Sequence, residues 1–430
     1  MKKHLLTFLF LSLVVGLHSN VFAIEREDKL TQQTYFGVIV RDMGNDTCMV
    51  CNMTGDPSFM KTFPGGSPAP RLIINVDTLY DFEIFGGNVY FCGVKNNYGV
   101  LGYFPLAGFP ANAVQYLNVP TSYRLRRLEV GTMAGQTHLV AIGDGSRGSA
   151  EIVDAIDFGA YWGMHFFDAT DTTVILTDLA ITDNYVVISF YNMCELPNTP
   201  NVNVLFLVKP TIYGTTFSPL NFHWEIAIKD AFISTIIEAC EGDAFVVASI
   251  SCVNLIGTCG INVSAFIGMT HYAHILITEQ TTAEVRIKDL RYNKTQKGTE
   301  LLLDYREDVF QHRSIVYHLE STMITGSHTA DGHWFDGVLL TSLYPNSALP
   351  NHFYAAGINR FDVCNMDLFR YHYNMWGTCT EYVSCTTTES EKYNKKDNLS
   401  FNRVDIDQVP VGKHESEKYI NIENKCKSTK

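Results

Sequence analysis

One ordered pattern recurs along the chain and restricts the folds open to it. Its clearest copy has an alternating strand at Asp81–Phe85, a turn of two glycines and an asparagine, an apolar strand at Val89–Gly93 and a third strand at Val100–Phe104. Glycine and asparagine suit the positive φ angles of a hairpin turn. Short apolar runs of this kind dominate the sequence and long helix-period stripes do not, so we predict an all-β chain.

The pattern returns at steps of about 40 to 60 residues, with third strands that begin near positions 100, 151, 204, 263, 314 and 353. Repeats of this size, with three or four strands each, are close to the period of kelch-like propellers. We therefore predict a β-propeller of six or seven blades, in which residues 35–51 complete the last blade or supply part of a seventh. The alternative is a β-sandwich or tandem β domains, because any β-rich chain forms hairpins at short intervals.

Both ends of the chain differ from its middle. Two lysines precede an apolar run at Leu5–Gly16, and Val21-Phe22-Ala23 supplies the small residues of a cleavage site, which is typical of a removable signal peptide over 1–23. Residues 386–430 contain 17 charged residues in 45, which predicts a polar, flexible tail; alternatively, Tyr419–Ile422 forms a late strand. The propeller domain is thus predicted at 24–385.

Charge excludes some partners. The chain has 45 acidic and 32 basic residues and a formal net charge of −13. Removal of the predicted signal peptide takes away two lysines and no acids, which makes the net charge about −15. This balance argues against binding nucleic acid or anionic lipid through a basic surface. No later apolar run is long enough for a transmembrane segment.

The first repeat carries a resemblance to a known group. Its strands read Asp-Phe-Glu-Ile-Phe, then Asn-Val-Tyr-Phe-Cys-Gly, then Gly-Val-Leu-Gly-Tyr-Phe. This pattern resembles the blade signature of uncharacterised exported β-propeller-like proteins of Gram-negative bacteria, over residues 75–320. The resemblance implies export to the periplasm, the cell surface or the extracellular space. Its motifs are structural, so it supports the fold and carries over no catalytic residue.

Motifs for chemistry are weak, and we predict no cofactor, no metal site and no identifiable catalytic residue. The run Gly143–Gly148 fails the register of a serine-nucleophile elbow, and the Cys48/Cys51 pair lacks the context of a redox or zinc motif. Cys252 and Cys259 flank a short loop that a disulfide would close. Other polar candidates are scattered: His271 and His274, His328 and His333 around Asp331, and Asp168 with Asp171.

Sugar binding has some support from composition. Four tryptophans offer flat faces for a pyranose ring, although core packing between blades is the better explanation in a chain with 12% aromatic residues: Trp162, Trp224, Trp334 and Trp376. Propeller-based glycosidases need two or three carboxylates that converge on a cleft, and no pair stands out among the 45 acidic residues.

The leading hypothesis is therefore a secreted propeller that binds an unknown glycan or protein and is not an enzyme. The alternative is a carbohydrate-active hydrolase with carboxylates in the propeller channel. Three acids that converge there with raised pKa values would favour the enzyme.

Overall fold

The computed structural model describes residues 24–31, 37–53, 57–62, 71–110, 113–119, 122–133, 135–145, 150–156, 160–168, 174–192, 202–208, 221–228, 232–254, 258–268, 270–280, 284–294, 298–306, 312–319, 330–336, 338–349, 352–359 and 365–372, and six short C-terminal strands. The regular elements in these ranges are all β-strands, as the sequence predicts, and they form several small antiparallel sheets. The predicted signal peptide lies outside the described residues. In the described part of the chain there is no helix of the length and hydropathy that a membrane span requires.

The strands form seven sheets, which we number I to VII. The first strand, β1 (Ile24–Thr31), belongs to sheet VII. Sheet I contains β2 (Val38–Gly44), β3 (Thr47–Asn52), β4 (Ser58–Thr62) and β5 (Arg71–Ile73). Sheet II contains β6 (Thr78–Phe85), β7 (Asn88–Lys95), β8 (Tyr98–Pro105) and β9 (Gln115–Val119). Sheet III contains β10 (Ser122–Met133), β11 (Gln136–Gly145), β12 (Ala150–Ile156) and β13 (Ala160–Asp168).

The remaining sheets follow in chain order. Sheet IV contains β14 (Val174–Ile181), β15 (Tyr185–Asn192), β16 (Val202–Val208) and β17 (Asn221–Ile228). Sheet V contains β18 (Phe232–Ala239), β19 (Ala244–Asn254), β20 (Thr258–Ile267) and β21 (Thr270–Gln280). Sheet VI contains β22 (Glu284–Asn293), β23 (Gly298–Arg306), β24 (His312–Leu319) and β25 (Ala330–Asp336). Sheet VII contains β26 (Val338–Pro345), β27 (His352–Asn359) and β28 (Asn365–His372), with β1 paired to β28.

Short strands near the C-terminus add to the outer edges of four sheets. They are β29 (Tyr382–Ser384) on sheet VI, β30 (Thr387–Thr388) on sheet V, β31 (Tyr393–Lys396) on sheet IV, and β32 (Phe401–Asn402), β33 (Val409–Pro410) and β34 (Ile420–Ile422) on sheet III. The last five lie in the segment 386–430, and β34 falls where the alternative prediction put a late strand.

The first strands of the sheets contact one another in a cycle. Strand β2 contacts β6, β6 contacts β10, and the series continues through β14, β18 and β22 to β26, which in turn contacts β2. Apolar side chains fill the spaces between neighbouring sheets. Phe59 of sheet I, for example, meets Phe82 and Phe104 of sheet II with ring centroids 5.1 Å apart in both pairs. The first strand of each sheet therefore packs against the first strands of two other sheets.

Five of the six predicted units match the first three strands of sheets II to VI, and the sixth is out of phase. Asp331-Gly332, placed at the start of that unit, lies in the fourth strand of sheet VI, whereas Val338–Pro345 is the first strand of sheet VII. The third strand of sheet VII, Asn365–His372, alternates polar and apolar residues. It therefore lacks the apolar run by which the other third strands were found. Residues 38–52 form two strands of a seventh sheet, while β1 completes sheet VII.

A register shift interrupts the first strand in several sheets, and glycine on the second strand accommodates it. In sheet III the shift falls between Leu125 and Arg127, opposite Gly143. A Cβ atom on Gly143 would lie 2.0 Å from the carbonyl oxygen of Arg124, and one on Gly93 in sheet II would lie 2.2 Å from that of Thr78. The backbones thus approach more closely than any other residue permits.

Candidate functional site

Polar side chains follow the register shift at the same place in five first strands. The residues directly after the shift are Asp81, Arg127, Asp178, Asp289 and Ser342, on sheets II, III, IV, VI and VII. Because side chains alternate along a strand, the residue two positions further points to the same side. Those residues are Glu83, Glu129, Ala180, Arg291 and Tyr344.

Hydrogen bonds between sheets extend this alignment to sheet V. Asp81 Oδ2 accepts a hydrogen bond from the backbone N–H of Leu128 on the next sheet at 3.2 Å, and Leu128 directly precedes the second position of its own strand. Asp178 Oδ2 accepts in the same way from Ile237 on sheet V at 2.9 Å. The equivalent residue of sheet V is therefore the one after Ile237, which is Glu238.

The same reasoning places an arginine in sheet I. Ser342 Oγ accepts a hydrogen bond from the backbone N–H of Val40 at 3.2 Å, and the next residue is Arg41. Each sheet thus contributes one residue to a set that we call the charged ring. In the order of sheets I to VII it consists of Arg41, Glu83, Glu129, Ala180, Glu238, Arg291 and Tyr344.

The three aspartates beside the ring connect neighbouring sheets. In addition to the two bonds above, Asp289 Oδ2 accepts the backbone N–H of Leu343 on sheet VII at 2.8 Å and lies 3.1 Å from Ser342 Oγ, which donates to it. A carboxylate that receives buried backbone donors has a structural role, because those donors would otherwise be unsatisfied. The three glutamates of the ring border a cavity of about 570 Å³ that none of these aspartates lines, so the glutamates are the candidates for chemistry.

Arg41 is a buried anchor of the ring. Its side chain is only 2% exposed; Nε donates to Glu83 Oε1 at 2.6 Å and Nη2 to Asp81 Oδ1 at 3.0 Å. The guanidinium carbon lies 5.3 Å from the ring centroids of Phe82 and Tyr344. These contacts fix the Glu83 carboxylate in place.

Arg291 crosses the ring. Its Nη1 lies 3.5 Å from Glu83 Oε1 and 3.6 Å from Glu238 Oε2, so one guanidinium contacts carboxylates from sheets II and V. Its Nε donates to Asp289 Oδ1 at 3.1 Å, and its guanidinium carbon lies 5.3 Å from the Tyr344 ring centroid. Glu238 is held further by the backbone N–H of Tyr292, which donates to Oε1 at 3.0 Å.

Negative charge exceeds positive charge in this region. The carboxyl groups number six and the guanidinium groups three: Asp81, Glu83, Glu129, Asp178, Glu238 and Asp289 against Arg41, Arg127 and Arg291. Full ionisation would leave three uncompensated negative charges in a site of low exposure. Such a site favours protonation of some carboxylates.

The pKa values of the glutamates follow from this imbalance. Burial raises the pKa of Glu238 to about 7, although Arg291 beside it acts in the opposite direction. Burial, reinforced by the negative charges of Glu83 and Glu238, raises the pKa of Glu129 well above its ordinary value. Burial also raises the pKa of Glu83, against the effect of Arg41 and Arg291. All three shifts favour the protonated form, so the ring glutamates hold their protons to higher pH than exposed glutamates do.

Glu129 differs from the other two glutamates in its contacts. Within the described ranges its carboxyl group makes no hydrogen bond and no ion pair, and it borders both cavities at the ring. The next ring residue, Ala180, carries no group that can reach it. Glu129 thus presents a free carboxyl group to the cavity.

The ring separates a narrow space from a wide one. The narrow space has a volume of about 20 Å³, enough for about one water molecule, and includes the three aspartates and Arg127. The wide cavity has a volume of about 570 Å³ and lies on the side of the turns between first and second strands. Glu83, Glu129, Glu238 and Arg291 border both. Further polar groups around the wide cavity are Asp42, Asp183, Asn293, Lys294, Asn346 and Ser347.

The cysteine pair of the CxxC motif does not form a site. Cys48 and Cys51 are both buried and outside any disulfide, and they pack into different apolar clusters on the two faces of β3. Burial raises the pKa of the Cys51 thiol well above its ordinary value, whereas a reactive cysteine needs a lowered one. Cys252 and Cys259 lie directly opposite each other on β19 and β20.

The other sequence candidates lie away from the charged ring. Trp162, Trp224 and Trp334 are on the fourth strands of sheets III, IV and VI, far from the first strands, and Trp376 is outside the described residues. His271 and His274 are on the fourth strand of sheet V. His333 and Asp331 are on β25 and Asp168 ends β13, while Ser146, His328 and Asp171 are outside the described residues. No group of three metal-ligating side chains occurs where the structure describes them.

Sequence reasoning missed the charged ring, although a signal for it was present. Three predicted units open on a strand with charged residues at alternate positions: Asp81-Phe82-Glu83, Arg127-Leu128-Glu129 and Asp289-Leu290-Arg291. Charges on the strand that should be most buried contradict the usual core pattern. Read together, these positions identify one inward-facing polar set.

Comparisons with known proteins add little. No protein-family model and no curated protein matches the chain. Among solved structures it is similar to two variants of an apocarotenoid oxygenase from Synechocystis. One is 8% identical with a TM-score of 0.33, over 78% of this chain and 72% of that one; the other is 10% identical with a TM-score of 0.32, over 84% and 95%. Likenesses at these scores carry no argument about activity or ligand.

Proposed function

We propose that the chain is an exported β-propeller of seven blades that binds a ligand in the cavity at the charged ring. Seven sheets with four main strands each, and the cycle of contacts between their first strands, support the propeller. The pairing of β1 with β28 would close the last blade with the start of the chain. The sequence pattern at residues 1–23 supports export.

The wide cavity at the ring carries this proposal. A cavity of about 570 Å³ is within the range of sites for small ligands, and converging polar groups in such a site usually fix a ligand's orientation. Carboxyl, guanidinium, amide and hydroxyl groups at its wall suit a ligand with many hydroxyl groups. We therefore take a glycan as the ligand, in preference to a protein segment.

Hydrolysis of that glycan is the second candidate function, because three glutamates with raised pKa values converge on the cavity. In such a reaction one carboxylic acid gives its proton to the leaving oxygen as the C–O bond breaks. A carboxylate takes a proton from the water whose oxygen forms the new C–O bond. Glu129 is suited to the first role and Glu238, with a pKa of about 7, to the second.

The test is a combined screen of the purified full chain for binding and hydrolysis of glycans. Glu129→Gln and Glu238→Gln change the ring, and Glu241→Gln is the matched control, because Glu241 is exposed three residues after Glu238. Binding without turnover, weakened by the ring variants alone, supports the binding function. Turnover that the ring variants abolish supports the hydrolase. Neither binding nor turnover by the wild-type chain would overturn a glycan ligand.

A further inference from the structure

Arg291 is the one arginine of the ring that reaches two of its glutamates. It extends from sheet VI to Glu238 on the neighbouring sheet V and to Glu83 on sheet II, which is 208 residues away in the sequence. Because both contacts share Nη1, the two carboxylate oxygens are separated by no more than the sum of those distances, about 7 Å. The arginine thus holds two carboxylates across the cavity.

The position of Arg291 is fixed independently of the glutamates. Asp289 on the same strand accepts from its Nε at 3.1 Å, and the Tyr344 ring covers its guanidinium group. The side chain is 14% exposed, so little space is left for another rotamer. A group held in this way can impose a geometry on its partners.

Glu129 is outside the reach of this arrangement. Its carboxyl group makes no ion pair with either arginine of the ring in the described ranges, and Ala180 separates it from Glu238 in the ring order. The ring therefore contains two kinds of glutamate: a pair held by Arg291 and a third that is free.

We infer that Arg291 divides the three ring glutamates into two roles, holding Glu83 and Glu238 as acceptors and leaving Glu129 as the acid that donates a proton or hydrogen bond to a ligand oxygen. This inference rests on the proposed function, since it assigns roles at the same cavity. It makes Arg291 a positioning residue and Glu129 the residue that contacts the ligand.

Several charged groups face the ring and enter any titration of it. They are Arg41 on β2, Asp81 on β6, Arg127 on β10, Asp178 on β14, Asp289 on β22 and the Tyr344 hydroxyl on β26. None of them contacts Glu129 through a hydrogen bond in the described part of the chain. The difference between Glu129 and the other two glutamates therefore reflects the placement of Arg291, joined at Glu83 by Arg41.

The first test needs no ligand. Selective ¹³C labelling of glutamate carboxyl carbons allows NMR titration of the full chain, and Glu83→Gln, Glu129→Gln and Glu238→Gln each remove one signal and so assign it. We expect the Glu129 signal at the protonated position at pH 7 and the Glu83 signal at the ionised position. In Arg291→Gln the titration midpoints of Glu83 and Glu238 should rise by about one unit or more.

Controls separate positioning from general damage to the fold. Arg286→Gln removes an exposed arginine from the same strand and should leave all three midpoints unchanged. Arg291→Lys keeps the positive charge but lacks the planar guanidinium group, so the midpoints of Glu83 and Glu238 should rise less than in Arg291→Gln. This variant also provides the test if Arg291→Gln does not fold. An ionised Glu129 at pH 7 in the wild type, or unchanged midpoints in both Arg291 variants, would overturn the inference.

A second test uses substrates if turnover is found. Glu129→Gln should lower kcat on an alkyl glycoside about 100-fold and much less on a nitrophenyl glycoside, whose leaving group needs no proton. An equal loss on both substrates contradicts a proton-donating role. Because the titration works without ligand, a negative glycan screen would overturn the proposed function and leave the division of roles decided by NMR alone.

Discussion

Two arginines that pair with carboxylates, one buried and one exposed, should contribute very differently to the stability of the fold. Arg41 is almost fully buried and contacts two carboxylates, Glu83 and Asp81. Arg41→Met would leave Asp81 buried without this cation and Glu83 with only the longer contact to Arg291, so we expect the free energy of unfolding to fall by about 3–5 kcal/mol. Urea unfolding followed by circular dichroism measures this change.

Arg124→Met is the matched control for that variant. Arg124 pairs with Asp144, but its side chain is 46% exposed. Surface pairs contribute about 0–1 kcal/mol, so the unfolding midpoint should hardly move. Adding Glu83→Gln to Arg41→Met should restore part of the lost stability, because it removes one negative charge from a buried site that has lost a positive one. Equal costs for the two arginines would show that the buried pair is not important for stability.

The residue scale is also where sequence reasoning stopped short. Burial of Val38, Phe82 or Leu302 follows from hydrophobicity alone. The convergence of Glu83, Glu129 and Glu238 does not, because residues from sheets II, III and V meet only when the first strands are brought together in space. One sequence does not show which of 45 acidic residues share a site.

At the scale of strands, the register shift in the first strand requires a glycine at the facing position of the second strand in sheet III. Gly143 lies opposite the shift in sheet III, where a Cβ atom would overlap a backbone carbonyl oxygen at 2.0 Å. Gly143→Ala should therefore lower the free energy of unfolding by about 3 kcal/mol. Thermal unfolding of the purified variant checks this value.

Gly135 in the same hairpin provides the comparison. It has a φ angle of +77° and open space around its Cα, so Gly135→Ala carries only the cost of the left-handed conformation, about 1–2 kcal/mol. If Gly135→Ala lowered the free energy of unfolding as much as Gly143→Ala, the close backbone approach at Gly143 would not be the cause of its destabilisation.

Strand prediction succeeded where apolar runs were unbroken and failed where they were not. The runs in β7, β11 and β15 were found because both faces of these second strands are buried. The strand Asn365–His372 was missed because polar residues alternate along it. Because this strand was missed, the prediction counted β27, the second strand of sheet VII, as the third strand of the last unit.

For the molecule as a whole, the charged ring predicts an acid-favoured stability. Burial raises the folded-state pKa of Glu238 to about 7 and that of Asp178 to about 6, above the ordinary values of 4.5 and 3.8. The folded chain therefore binds more protons than the unfolded chain between about pH 4 and 7. Their contribution is present below pH 4 and is lost as pH rises to about 7, by about 3 kcal/mol for each group.

We expect the contribution of these two groups to be larger at pH 5 than at pH 8, and urea unfolding at both values measures the change. Glu238→Gln and Asp178→Asn should each reduce the pH dependence, because an amide does not titrate. Glu241→Gln should leave it as in the wild type. A wild-type pH dependence that neither Glu238→Gln nor Asp178→Asn alters would place the titrating groups elsewhere.

The pairing of β1 with β28 has a consequence for how the chain reaches its final state. The ribosome makes residues 24–31 long before residues 365–372, yet Thr31 pairs with Asn365. Until residues 365–372 are made, β1 has no strand to pair with and its backbone edge stays open. Open strand edges can pair with strands of other chains. The main strands of the other six sheets are therefore all made before β28 is available to β1, so sheet VII is the last of the seven to gain its full set of strands.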